Sequence, residues 1–158
     1  MKKTIFYLLT CIAILFSCNN NNNTQTNSNQ AQDTNQTKSA SGLTGEYCYS
    51  YIKDKDWVML RIVVADSNVT GKLSYSFYEK DNNDGVINGK LKSDTLLADY
   101  TFMSEGKQSV RQIAFLLTDS SAKEGYGEQQ EQNGKMIFVR PHRLSFNNSF
   151  ILFKASCN

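Results

Sequence analysis

Histidine occurs once in this sequence, at His142. A single imidazole excludes metal sites built from several histidines and a Ser-His-Asp triad with a base to spare. No nucleophile motif is present and no cysteine, histidine or carboxylate spacing suits a metal, so no metal or cofactor is expected and an enzyme is disfavoured. An excess of one charge is lacking too. Without Lys2 and Lys3 the 17 basic residues fall to 17 − 2 = 15, equal to the 15 acidic ones, which leaves a nucleic-acid or polybasic membrane role unsupported. Long apolar runs are also missing. The longest, Ile5–Phe16 (IFYLLTCIAILF), falls short of the roughly 20 residues a spanning helix needs. No amphipathic stretch of helical length follows Gly42, although one helical turn fits within Asp119–Lys123.

What is there begins with export. Met1-Lys2-Lys3 ahead of the apolar run has the form of a signal peptide. The run ends in Leu15-Phe16-Ser17-Cys18, which resembles the lipobox of bacterial lipoproteins in the looser form, with a bulky residue at Phe16, found in Bacteroidota. The resemblance implies a leader over 1–17 and diacylglycerol on the Cys18 thiol, with the membrane as the partner of that lipid. Acyl chains contributing about 0.8 kcal/mol per buried methylene make such attachment permanent. The alternative is an ordinary secretory signal cut elsewhere, with Cys18 a free thiol.

Residues 18–42 follow, and after Cys18 they are mostly Asn, Gln, Thr and Ser with almost nothing apolar, beginning with five consecutive asparagines. Such a segment buries too little surface to offset its ordering entropy, so a disordered tether is expected, with a reach of about 25–30 Å. Surface-exported lipoproteins of Bacteroidota often carry acidic residues just after the lipidated cysteine. Here none occurs before Asp33, which favours the outer membrane facing the periplasm, with surface exposure the alternative.

Residues 43–158 have the length of one domain with a single core. Only Cys48 and Cys157 remain there, and an even pair in an oxidising compartment predicts a disulfide. Turn chemistry every 8–12 residues separates β-branched and aromatic segments, the pattern of an all-β protein. Strands are expected near 45–52, 57–65, 69–78, 85–91, 95–103, 109–118, 125–130, 135–140 and 149–155. Alternation places Val58/Leu60/Ile62/Val64, Leu73/Tyr75/Phe77, Leu96/Ala98/Tyr100/Phe102 and Ile113/Phe115/Leu117 each on one face. An antiparallel up-and-down meander of about 8–9 strands can cover that face by closing into a small barrel, with the first and last strands adjacent and the two cysteines beside each other. A sandwich remains the alternative.

Gly71-Lys72-Leu73-Ser74-Tyr75 through Glu79-Lys80-Asp81, Gly85, Gly89, Asp94-Thr95-Leu96, Tyr100, Ser104-Glu105-Gly106, Ser109, Arg111 and Phe115 resemble the body of small Bacteroidota lipoproteins. The resemblance covers about half of the domain and implies a lipocalin-like or avidin-like barrel, with no assigned chemistry.

Arg111 shares strand parity with Ile113, Phe115 and Leu117 and is expected to point inward. A buried guanidinium must be paired or it destabilises the fold. Glu105 and Glu128, the latter in phase with Tyr126, are its candidate partners, with Tyr75 and Tyr100 as added hydroxyls. The cluster reads either as a polar floor for an anionic or hydroxylated small ligand or, preferred on sequence alone, as an internal salt bridge setting strand register. Glu79, Asp81 and Asp84 surround a loop (EKDNNDG) without the spacing of a calcium loop. His142 lies in a basic turn, Arg140-Pro141-His142-Arg143. Trp57 and Met59 with the Tyr47/Tyr49/Tyr51 stripe offer an aromatic protein-binding patch, unless the tyrosines belong to the core. Asp94-Thr95-Leu96 matches a short O-glycosylation motif of Bacteroidota. Together these favour a non-enzymatic, membrane-anchored envelope barrel binding a small ligand or an envelope protein, with an inhibitor of a hydrolase such as lysozyme as the rival.

Overall fold

The computed structural model describes residues 42–80, 82–147 and 149–158; Cys18, the expected leader and nearly all of the expected tether lie outside them. Ten strands follow in order: β1 (Gly45–Lys53), β2 (Asp56–Ala65), β3 (Asn68–Ser76), β4 (Asn83–Lys92), β5 (Thr95–Ser104), β6 (Lys107–Leu117), β7 (Ser121–Gly125), β8 (Gln129–Gln132), β9 (Lys135–Phe138) and β10 (Ile151–Ala155). One 3₁₀ turn, Pro141–Arg143, interrupts them. No described helix is long and apolar enough to cross a membrane.

Tight turns set the register. The pairs Lys53↔Asp56, Ala65↔Asn68, Lys92↔Thr95, Ser104↔Lys107 and Gln132↔Lys135 each leave a two-residue loop. The first loop residue in every case, Asp54, Asp66, Ser93, Glu105 or Asn133, has positive φ. That is the backbone of hairpin turns whose twist matches the flanking strands. Pairing then runs antiparallel from β1 through β7, β7 pairs with β10, and β10 pairs with β1, so eight strands close into a barrel. The all-β antiparallel barrel read from the sequence is the fold observed. The pair Cys48–Cys157 forms the expected disulfide, fastening the C-terminal tail beyond β10 to the outer side of β1.

Inward parity follows the alternation. Val58, Leu60, Ile62 and Val64 of β2 are 2% exposed or less, and Leu73, Leu96, Phe115, Leu117 and Leu152 are fully buried. Leu43, just before β1, joins this cluster. The tyrosine stripe belongs to the core: Tyr49 is buried and donates its hydroxyl to the Thr118 carbonyl at 3.0 Å, while Tyr47 and Tyr51 pack against the cluster. Met59, on the opposite parity, is half exposed.

Two departures from the expected strands matter for the site. The expected strands leave 119–124 between them as a connection, yet only Thr118–Ser120 turns. The Thr118 hydroxyl accepts from the Ser121 and Ser120 amides at 2.9 and 3.3 Å, closing the reversal in three residues. The chain is therefore extended again from Ser121 and forms β7. The expected strand 125–130 is correspondingly split: β7 ends at Gly125, and β8 with β9 forms a separate hairpin outside the closed ring. β6 divides its edge between the two. Ala114–Leu117 pairs with β7, whereas Val110 and Arg111 pair with β9 in parallel. At the changeover, Gln112 binds β8 and β9: its carbonyl accepts from the Gln129 amide side chain at 2.8 Å and its own side chain accepts from the Phe138 amide at 3.0 Å.

Candidate ligand-binding site

Because β7 leaves β6 at Gly125 and β9 joins it only at Arg111, the barrel wall is parted beside Gln112 and Ile113. A cavity of about 280 Å³ opens there, with Tyr75, Arg111, Glu124, Tyr126, Phe138 and Phe150 in its lining. Gly125 at its rim has a packing role: a β-carbon on it would lie 2.6 Å from the Phe146 ring, so the segment after the 3₁₀ turn can press against the wall there.

Arg111 points inward as its parity requires. Its guanidinium carbon lies 5.5 Å from the centroids of Tyr75 and Tyr100 and 5.3 Å from that of Phe102, within the range of cation–π attraction. Tyr100 and Phe102 stack at 4.7 Å. Their placement depends on Gly85 of the neighbouring strand, where a β-carbon would fall 2.7 Å from the Tyr100 ring and 2.2 Å from the Thr101 carbonyl oxygen. A ring face attracts the charge but accepts none of the five N–H donors in the way an oxygen does. No described residue forms an ion pair with Arg111, and its Nε is a buried donor without an acceptor. The Tyr100 hydroxyl is likewise buried without a partner.

The carboxylates expected beside Arg111 are elsewhere. Glu128 lies past the end of β7, on the surface, and pairs with Arg140 at 2.7 Å; its assumed phase with Tyr126 required a continuous strand that does not form. Glu105 sits exposed in the two-residue turn between β5 and β6, facing a different, outer depression with Asn82 and Met103. The internal salt bridge preferred from the sequence is thus absent among the described residues, while Tyr75 and Tyr100 do meet Arg111.

The acid that does line the cavity is Glu124 of β7, 7% exposed. Its Oε1 accepts from the Tyr75 hydroxyl at 2.8 Å and its Oε2 from the Tyr126 hydroxyl at 3.2 Å. Burial raises the Glu124 pKa, against the pull of the Tyr75 bond, the Arg111 charge and the Tyr126 bond. Burial also holds the Tyr75 hydroxyl well above its ordinary value, and pushes Tyr100 up to about 12. Both phenols therefore stay protonated as donors at neutral pH. The sequence signal for Glu124 was its alternation with Ala122, both buried in β7, hidden by the Asp119-Ser120 turn before it.

The remaining candidates fall apart from this cavity. Asp84 accepts from Ser74 at 2.5 Å, Glu79 is exposed, and Asp81 lies outside the described residues. No group of three or more potential metal ligands occurs among the described residues. His142 is exposed on the 3₁₀ turn, along an outer groove with Lys90, Lys92 and Leu97. Thr95 opens β5, half-buried, and donates to Asp94 at 3.1 Å. Compared with protein-family models, curated proteins and solved structures, the chain matches none.

Proposed function

We propose that this chain is an envelope lipoprotein, anchored through lipid on Cys18, whose barrel binds a small anionic ligand through Arg111 without transforming it. One observation carries the binding part. Arg111 is an inward guanidinium with no oxygen partner among the described residues and a buried, unpaired Nε, lining the cavity that opens where the barrel wall is parted. An unsatisfied buried donor costs about 1–3 kcal/mol, and the surrounding rings attract the charge without supplying the acceptor that the Nε–H lacks. A carboxylate arriving from solvent would complete the donor set in a charge-assisted, two-pronged contact. The volume, about 280 Å³, falls just under the range of ligand pockets, about 300–1,000 Å³, so the ligand is a single small ring or a short chain. The anchor rests on the leader and the Ser17-Cys18 junction.

Calorimetric titration of the chain with a panel of small carboxylates tests the binding. We expect millimolar or tighter affinity for members that fit, about −4 kcal/mol or better, reduced at least about tenfold by Arg111→Met. Equal binding by the variant would contradict the reading. Mass spectrometry of the mature N-terminus tests the anchor, with diacylglycerol on Cys18 the expected result and a free thiol the contrary one.

A further inference from the structure

The cavity that holds the unpaired Arg111 also holds a buried acid, and the two do not touch. Glu124 forms no ion pair among the described residues, although both side chains line the same space. Tyr75 contacts both: its ring centroid lies 5.5 Å from the guanidinium carbon and its hydroxyl is 2.8 Å from the carboxylate. A carboxylate offers about four acceptor positions, and the Tyr75 and Tyr126 hydroxyls fill two. Opposite charges in a partly dry site attract strongly. Without a direct pair, the cavity keeps one cationic and one anionic station, each incomplete, with the apolar rings of Phe77, Phe138 and Phe150 also in its lining.

From this we infer that the ligand is a zwitterion of amino-acid type, its carboxylate on Arg111, its ammonium on the free lone pairs of Glu124, and an apolar spacer against the phenylalanines. The inference rests on the binding role of Arg111 proposed above. It adds that the ligand carries a second, opposite charge. Glu124 is then a specificity residue: it selects against simple carboxylates, which would leave it without a cation in a buried position.

Zwitterions spanning a range of charge separations, from glycine through ε-aminocaproate to 4-(aminomethyl)benzoate, supply the test. Each is titrated by calorimetry beside the matched carboxylate and the matched amine that lack one of its charges. At neutral pH the best zwitterion should bind at least about tenfold more tightly than its carboxylate partner, the margin of a charge-assisted hydrogen bond. Glu124→Gln should erase that margin by weakening the zwitterion while the plain carboxylate binds as tightly as before or more tightly, and a cooperative thermal melt shows that the variant is folded. Carboxylates binding as tightly as zwitterions, still dependent on Arg111, would overturn the zwitterion and leave the anion site standing. A Glu124→Gln variant that weakens carboxylate and zwitterion equally would also overturn it. No binding by any probe up to about 10 mM would overturn both readings.

Discussion

The two ends of this barrel are built from the same strands and the same inward parity, yet from different chemistry. At the end reached by the β2–β3, β4–β5 and β6–β7 turns, Val64, Val69, Leu96 and Leu117 are 2% exposed or less. At the other, Tyr51, Phe150, Phe77, Tyr75, Tyr100 and Phe102 form a continuous run of ring contacts with centroid distances of 4.7–6.1 Å. Arg111 adjoins that run and Glu124 meets it through Tyr75. Aliphatic side chains fill space to crystal-like density and have nothing to offer a solute. Aromatic rings with hydroxyl and charged tips bury their bodies and keep polar groups aimed at a cavity. The groups able to recognise a ligand are thus gathered at one end, so substitutions at the two ends should separate folding from binding.

The largest expected effect belongs to neither end. Cys48→Ala with Cys157→Ala opens a loop of 109 residues and should lower unfolding free energy by about 4–5 kcal/mol in the chain-entropy account, with ligand affinity of the folded fraction unchanged. Denaturant unfolding checks this, and a loss of affinity at native conditions would show that the clasp also shapes the cavity. Leu96→Ala at the closed end comes next. Its side chain is fully buried, and a loss of about 2–5 kcal/mol is expected, again without a change in binding by calorimetry. Affinity falling along with stability would erase the division between the ends.

Tyr75→Phe moves to the open end and removes the hydroxyl that Glu124 accepts. A loss of about 1–3 kcal/mol is expected from the exposed acceptor left in a buried place. It should be smaller at acid pH, where the carboxyl is neutral, and melts at two pH values distinguish this from lost packing. The smallest effect is a slope. Glu124 has its folded pKa raised by burial above the ordinary value of 4.5, so between those two values the folded chain holds a proton the unfolded chain has released. Stability conferred by this residue therefore falls as pH rises from about 4.5 and levels off above the folded pKa. Against Glu124→Gln, the wild-type melting temperature should decline over that window. A difference independent of pH would place the carboxyl in an ordinary, solvated environment.

How much of this was legible in the sequence follows the same division. Alternation along β2, β5 and β6 marks the inward residues because a sheet with one buried face enforces period two. Two-residue turns at Asp54, Ser93 and Asn133-Gly134 announce hairpins, and the cysteine pair announces the neighbouring of first and last strands. Arg111 was readable as an inward charge for the same reason. Its surroundings were not. The phase assigned to Glu128 assumed an unbroken strand through Gly125–Gln130, whereas Gly125 and Gly127 leave room for Phe146 and Leu144 and the chain departs from the ring between them. The splitting of β6 depends on Gln112 supplying hydrogen bonds from its side chain, a substitution for ladder bonds that no local pattern signals. Glu124 was concealed because Thr118 closes a turn in fewer residues than Asp119-Ser120-Ser121 suggests.

Central to the account is that Arg111 is kept at a cost to the fold because it binds something. Urea unfolding of wild type and Arg111→Met, in the absence of any ligand, measures that cost directly. Methionine fills comparable volume among the rings without an orphaned donor, so the variant should be as stable as wild type or more so, with carboxylate binding lost. A variant destabilised by more than about 2 kcal/mol that still binds carboxylates normally would make Arg111 a strut of the barrel and contradict the account.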